Sequence, residues 1–120
     1  THDVLLDAER AELPGWRGAP LPYIAFANAG DHGYGRFLLD ARSRDAALAG
    51  LAPVHDPLMR LQLVEALWEE VRDAALDPAR FVAFALEQLS REAEWGVATA
   101  FVDHAGFACA RYLDDTQAAK

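Results

Sequence analysis

Sulfur, positive charge and long apolar runs are all scarce in this 120-residue chain, and each shortage narrows what it can be. A single cysteine, Cys109, excludes an internal disulfide and a cysteine-built metal site, which fits a reducing compartment and a cytoplasmic chain. Eleven bases against nineteen acids leave a net charge of -8, which opposes binding to a phosphate backbone or an anionic membrane, so neither nucleic acid nor a membrane is expected as a partner. No apolar stretch approaches the roughly 20 residues needed to span a bilayer, and the start has no signal-peptide pattern. An initiator methionine is also missing. Thr1 leads at once into the strand-like run Val4-Leu5-Leu6, so the chain reads as a processed or shortened product.

What is present is ordinary globular material, with 52% hydrophobic and 25% charged residues, enough to build one core. Its composition changes along the chain. Three of the six prolines and five of the eight glycines fall in the first 40 residues, marking turns and short strands. Strands are expected near 2–7, 23–27 and 34–39, the last two joined through Asn28-Ala29-Gly30-Asp31-His32-Gly33 as a hairpin. From Ser43 onward the apolar spacing moves to three and four, with Ser43 as N-cap of a short helix through Ala47, Leu48 and Leu51. Asp56-Pro57 and Asp77-Pro78 each place a capping acid before a proline at the first helical position. Leu61, Val64, Leu67, Trp68 and Val71 then mark one buried face, and Phe81, Ala85, Leu86 and Leu89 the next. Trp95, Ala98, Val102, Ala105 and Cys109 mark a last helix to about Tyr112, weakened by Gly96 and Gly106, and a polar tail follows from Asp114. The expected fold is therefore α+β and mainly α. Residues 1–41 form a strand segment, the end of a β-sandwich, and residues 42–120 begin an α-solenoid of antiparallel helix pairs. Both halves read as pieces of something larger.

No catalytic constellation is visible. The four histidines, His2, His32, His55 and His104, include no pair at the i, i+4 spacing that presents two imidazoles to zinc, and there is no His-Glu-x-x-His. Asp31-His32 and Asp103-His104 are neighbours whose side chains point in different directions, and His32 and His55 read as solvated loop residues. Gly30, Gly33 and Gly35 run G-x-x-G-x-G into a strand, the reverse of a dinucleotide loop leading into a helix. Ser43 and Ser90 lie in no nucleophile elbow, Glu69-Glu70 and Asp114-Asp115 read as solvated acids, and Cys109, Trp68 and Trp95 read as core residues. Trp16, in a Pro/Gly-rich loop, is the better candidate for an interface contact.

The run Leu21-Pro22-Tyr23-Ile24-Ala25-Phe26-Ala27-Asn28, with its Gly30-Asp31 turn and then Gly33-Tyr34-Gly35-Arg36-Phe37-Leu38-Leu39-Asp40, resembles the segment that leads into the C-terminal helical domain of aminopeptidase N-type zinc aminopeptidases of the gluzincin class. Asp56-Pro57-Leu58-Met59-Arg60, Ala66-Leu67-Trp68 and residues 71–76 are similar to that family's first long helices, residues 86–94 resemble its helix ending in an acidic pair, and the likeness covers roughly residues 20–95. The resemblance implies a parent enzyme that removes N-terminal residues from peptides, with zinc held by a His-Glu-x-x-His and a downstream Glu, and a helical superhelix closing over the site. None of those zinc and peptide-binding positions occurs here. It therefore implies no catalytic, cofactor or metal residue in this chain, and makes Asn28, Gly33, Tyr34, Arg36 and Asp40 scaffold. Asn28 and Gly33 are expected to set the turn, Tyr34 to pack, and Arg36 and Asp40 to share a strand face. The implied partners are the rest of the aminopeptidase and its peptide substrates; the alternative is a free-standing helical protein-interaction module.

Overall fold

A computed structural model describes residues 8–114 and 116, so the strand expected over 2–7 and most of the polar tail lie outside the described residues. Among the described residues, a 3-10 turn at Pro14–Trp16 is followed by four α-helices: α1 (Ala41–Ala49), α2 (Pro57–Arg72), α3 (Pro78–Leu89) and α4 (Trp95–Arg111). Asp56 and Asp77 accept hydrogen bonds from the Leu58 and Ala79 N–H groups (3.1 and 2.9 Å), so each Asp-Pro pair starts a helix by filling an orphan donor and supplying a residue that has none. The start of α1 differs from expectation. Its N-cap is Asp40, which accepts from the Arg42 and Ser43 N–H groups, while Ser43 lies within the helix and is wholly buried.

The helices form a small bundle in which α4 packs most extensively on α3 and then on α2, and α1 lies against α3. The largest enclosed side chains are Leu63, Val64 and Leu67 from α2, Phe81 from α3 and Phe101 from α4. Phe101 meets Phe84 edge-on at 5.7 Å, and Trp68 tilts against Phe81 at 5.5 Å, placing aromatic contacts on both flanks of α3. Ile24, Phe26 and Leu39 from the preceding segment pack on this same core.

The hairpin is absent. Among the described residues there is no β-strand, so the β-sandwich end expected before residue 42 is corrected to irregular chain lying on helices. The reason is specific. Pro22, Ile24, Phe26 and Asn28 turn inward while Leu21, Tyr23, Ala25 and Ala27 turn outward, and Phe37 and Leu39 alternate with Leu38 and Asp40 in the same way. The side-chain period of two was read correctly, but a strand also needs a backbone ladder. Here helix side chains take the backbone groups instead: Ser43 Oγ accepts the Ala25 N–H (2.9 Å), Arg42 donates to the Pro22 carbonyl (2.7 Å), and Gln62 donates to the Asn28 carbonyl (2.9 Å).

Helix α4 is turned relative to its expected face. Val97, Ala100, Phe101, Ala105 and Ala108 are buried, whereas Trp95 is 82% and Val102 is 54% exposed. Both stripes are apolar, and spacing alone cannot choose between them. Phe101 decides, because an aromatic ring on the inner side fills space beside Phe84 that alanines would leave empty. Leu86, expected inward on α3, is likewise 61% exposed, and Phe84 takes the inner position.

Candidate functional site

The residues singled out by sequence fall in a loop and its two flanks, which the structure ties to α1 and α2. Asn28 is the hub. Its side-chain Oδ1 accepts the Gly33 N–H at 2.7 Å, and its Nδ2 donates to the Gly33 carbonyl at 3.1 Å and to Asp31 Oδ1 at 3.3 Å, closing residues 28–33 into a pinned loop. Gly30 adopts φ 85°, and a Cβ there would meet the His32 ring at 2.9 Å; one at Gly33 would meet Phe37 at 3.0 Å and Asn28 Oδ1 at 3.2 Å. With three bonds on a side chain only 8% exposed, Asn28→Ala is expected to lower stability by about 2 kcal/mol, read as a shift in urea midpoint at unchanged slope.

Arg36 and Asp40 do not share a strand face. Arg36 reaches α2, pairing through Nε with Glu69 Oε2 (3.0 Å) and through Nη2 with Asp73, and these carboxylates raise its pKa, Asp73 foremost. Asp40 caps α1 and also accepts the Ser43 hydroxyl at 2.6 Å, and these bonds hold its carboxyl below the ordinary carboxylate range. Tyr34, expected to pack, is instead fully exposed.

Two features had no sequence signal, because their partners lie more than thirty residues apart. Arg60 grips Glu92 with Nε at 2.8 Å and Nη2 at 2.9 Å, while its Nη1 donates to the Val54 and His55 carbonyls. Glu92 in turn accepts the Glu94 N–H at 2.9 Å, just ahead of α4, whose N-cap Glu94 makes no side-chain cap bond of its own. One guanidinium thus joins the α1–α2 connection, α2 and the α3–α4 connection. The second feature is a groove of about 400 Å³ between α2 and α4, lined by Trp68, Arg72, Asp103, His104, Phe107 and Tyr112. His104 stacks on Trp68 with centroids 4.7 Å apart and planes at 14°, and its Nε2 lies 2.9 Å from Glu65 Oε1.

These arrangements support packing rather than bond-breaking chemistry. The nucleophile candidates are tied down locally: Ser43 by Asp40 and Ala25, Ser90 by the Glu87 carbonyl at 2.8 Å. The pair Glu69-Glu70, read as solvated, is engaged, Glu69 with Arg36 and Arg72 and the buried Glu70 with Arg44 at 3.2 Å. His32 and His55 are exposed loop residues, Cys109 is half-buried, and Trp16 is 38% exposed. Among the described residues no three His, Cys, Asp or Glu side chains converge as metal ligands would. Nor is any helix among them long and apolar enough to cross a membrane.

Comparison with known proteins agrees with the resemblance drawn from residues 20–95. Residues 25–120 match the ERAP1-like C-terminal domain, a span that takes in the pinned loop and helices α1 to α4. No curated protein and no solved structure matches the chain. The chain belongs to the ERAP1-like C-terminal domain family, as a C-terminal segment of an aminopeptidase-like protein that lacks the catalytic domain.

Proposed function

We propose that this chain serves a zinc aminopeptidase that removes N-terminal residues from peptides, as the non-catalytic helical part that lies over its active site in the cytoplasm. The observation that carries this reading is the family match over residues 25–120, in a chain that has no His-Glu-x-x-His of its own. The outward side of the first segment supports it. Leu21, Tyr23, Tyr34 and Leu38 are 73%, 47%, 109% and 53% exposed, a run of large apolar groups suited to contact with the remainder of the enzyme. The free cysteine supports the reducing compartment.

The test uses antibody against this chain on native extracts. The expected species is much heavier than 13.1 kDa, and it co-purifies with zinc and with hydrolysis of amino-acid arylamides. A 13.1 kDa species without zinc or activity would replace this reading with a free-standing interaction module. The 120-residue chain alone is expected to turn over no arylamide, and turnover by it would overturn the non-catalytic assignment.

A further inference from the structure

We propose that the crevice between the α1–α2 and α3–α4 connections binds a carboxylate with a short aliphatic chain behind it. The crevice holds about 260 Å³, and Leu51, Ala52, Val54 and Ala93 give it an apolar wall. Its other lining groups are donors in want of acceptors. The Arg91 guanidinium, 66% exposed and permanently charged, has Glu87 as its ion-pair partner at 3.6 Å, longer than a hydrogen bond. The exposed His55 imidazole carries an N–H in either tautomer and has no partner among the described residues. Gln88 is only 7% exposed: its Oε1 accepts the Leu51 N–H at 3.0 Å, while its Nε2 is buried with no acceptor. A buried donor left in this state is uncommon and costly, and an acceptor entering beside it relieves that cost.

The acceptors of the crevice, by contrast, are taken. Arg60 holds both Glu92 oxygens and the Val54 and His55 carbonyls, and Glu92 also accepts the Glu94 N–H. With Glu92 matched by Arg60, the crevice keeps the charge of Arg91, in a chain whose net charge is -8. Unfilled donors around one cation select an anion, and a single cation selects a monoanion, because a dianion such as phosphate would bring a second, unmatched charge into an acidic protein. The apolar wall selects carbon behind the charged head. Glu87, 59% exposed at the side chain and one helical turn before Arg91, is the competitor that the ligand displaces, and an exposed pair of that kind is weak. The same chemistry holds whether the carboxylate is carried by a small molecule or by an adjoining polypeptide.

Sodium 4-methylpentanoate, added at constant ionic strength and neutral pH, is expected to shift the amide resonances of residues 51–55 and 88–93 and the Gln88 side-chain amide, with half-saturation on the order of 1–10 mM. The uncharged 4-methylpentanamide and inorganic phosphate should shift them less. Arg91→Gln and His55→Ala should each weaken binding at least about threefold, and both side chains are exposed, so the bundle stays folded. Arg80→Gln removes the same charge from an arginine 54% exposed and outside the crevice, and should leave binding unchanged. Gln88→Glu keeps the shape of the side chain and an oxygen for the Leu51 N–H but sets a like charge against the ligand, and should abolish binding. Protection against heat distinguishes the source: 4-methylpentanoate stabilising both the 120-residue chain and the heavier native species assigns a small molecule, and stabilising the chain alone assigns a carboxylate of the adjoining polypeptide. Absence of shifts, shifts matched by the amide or exceeded by phosphate, or equal weakening by Arg80→Gln and Arg91→Gln overturns the proposal.

Discussion

Arg60→Ala is expected to destabilise the protein by about 3–5 kcal/mol, the cost of leaving a buried carboxylate without its counter-charge. The Glu92 side chain is 6% exposed and that of Arg60 16%, so the pair is largely withdrawn from water. Two of the four Arg60 hydrogen bonds go to backbone carbonyls, which would also be left short of donors. For a domain of this size the melting temperature should fall by about 10–20 °C. Arg60→Lys keeps the charge but gives up the fork that grips both carboxylate oxygens and both carbonyls, and is expected to lose about half as much. Replacing both partners, Arg60→Met with Glu92→Leu, should recover much of the loss, because no unpaired charge remains. A double variant no more stable than Arg60→Ala would show that the pair acts by its hydrogen bonds to the connections rather than by charge balance.

The same pair sets an acid limit. The hydrogen bond from Arg60 holds the Glu92 pKa below its ordinary value, and the Ser43 hydroxyl does the same for Asp40. A carboxyl depressed in the folded state stabilises the fold at pH above its unfolded pKa, and that contribution is lost as pH falls through the folded pKa. Stability should therefore decline below about pH 4.3, where an unfolded glutamate takes up its proton. In Arg60→Ala the Glu92 share of that decline should disappear. Urea unfolding at a series of acidic pH values checks this directly.

Phe101→Ala is expected to cost about 3–5 kcal/mol, since its ring is 1% exposed and fills the seam between α3 and α4 beside Phe84. Val102→Ala, one residue along and 54% exposed, should change the stability of the dilute protein by no more than about 0.5 kcal/mol. The two substitutions test the orientation of α4. Equal losses would mean that both faces are enclosed in the monomer, and a larger loss at Val102 would restore the face expected from spacing.

That orientation marks where reading along the chain stops. The starts of α2 and α3 were legible because Asp56-Pro57 and Asp77-Pro78 are local devices, complete within a few residues. The inner face of α2 was legible too, since polar Glu65 and Glu69 leave only one apolar side. On α4, alanine, glycine and valine occupy the whole circumference, so the pattern had two solutions. The segment 21–40 misled for a related reason: alternation records which side chains face inward, and says nothing of what bonds the backbone.

By itself the sequence determined what is local: the starts of α2 and α3, the turn chemistry of Asn28 and Gly33, and a likeness to aminopeptidases that the family match upholds. Tertiary structure decided what depends on residues distant in the chain. It set Arg60 against Glu92, Arg36 against Glu69 and Asp73, and Ser43 against Ala25, and so turned an expected hairpin into chain bound to helices. The physical reason is that a hydrogen-bonding group takes whichever partner the packed core brings within about 3 Å, and that partner is chosen by the assembled helices rather than by the neighbouring residues.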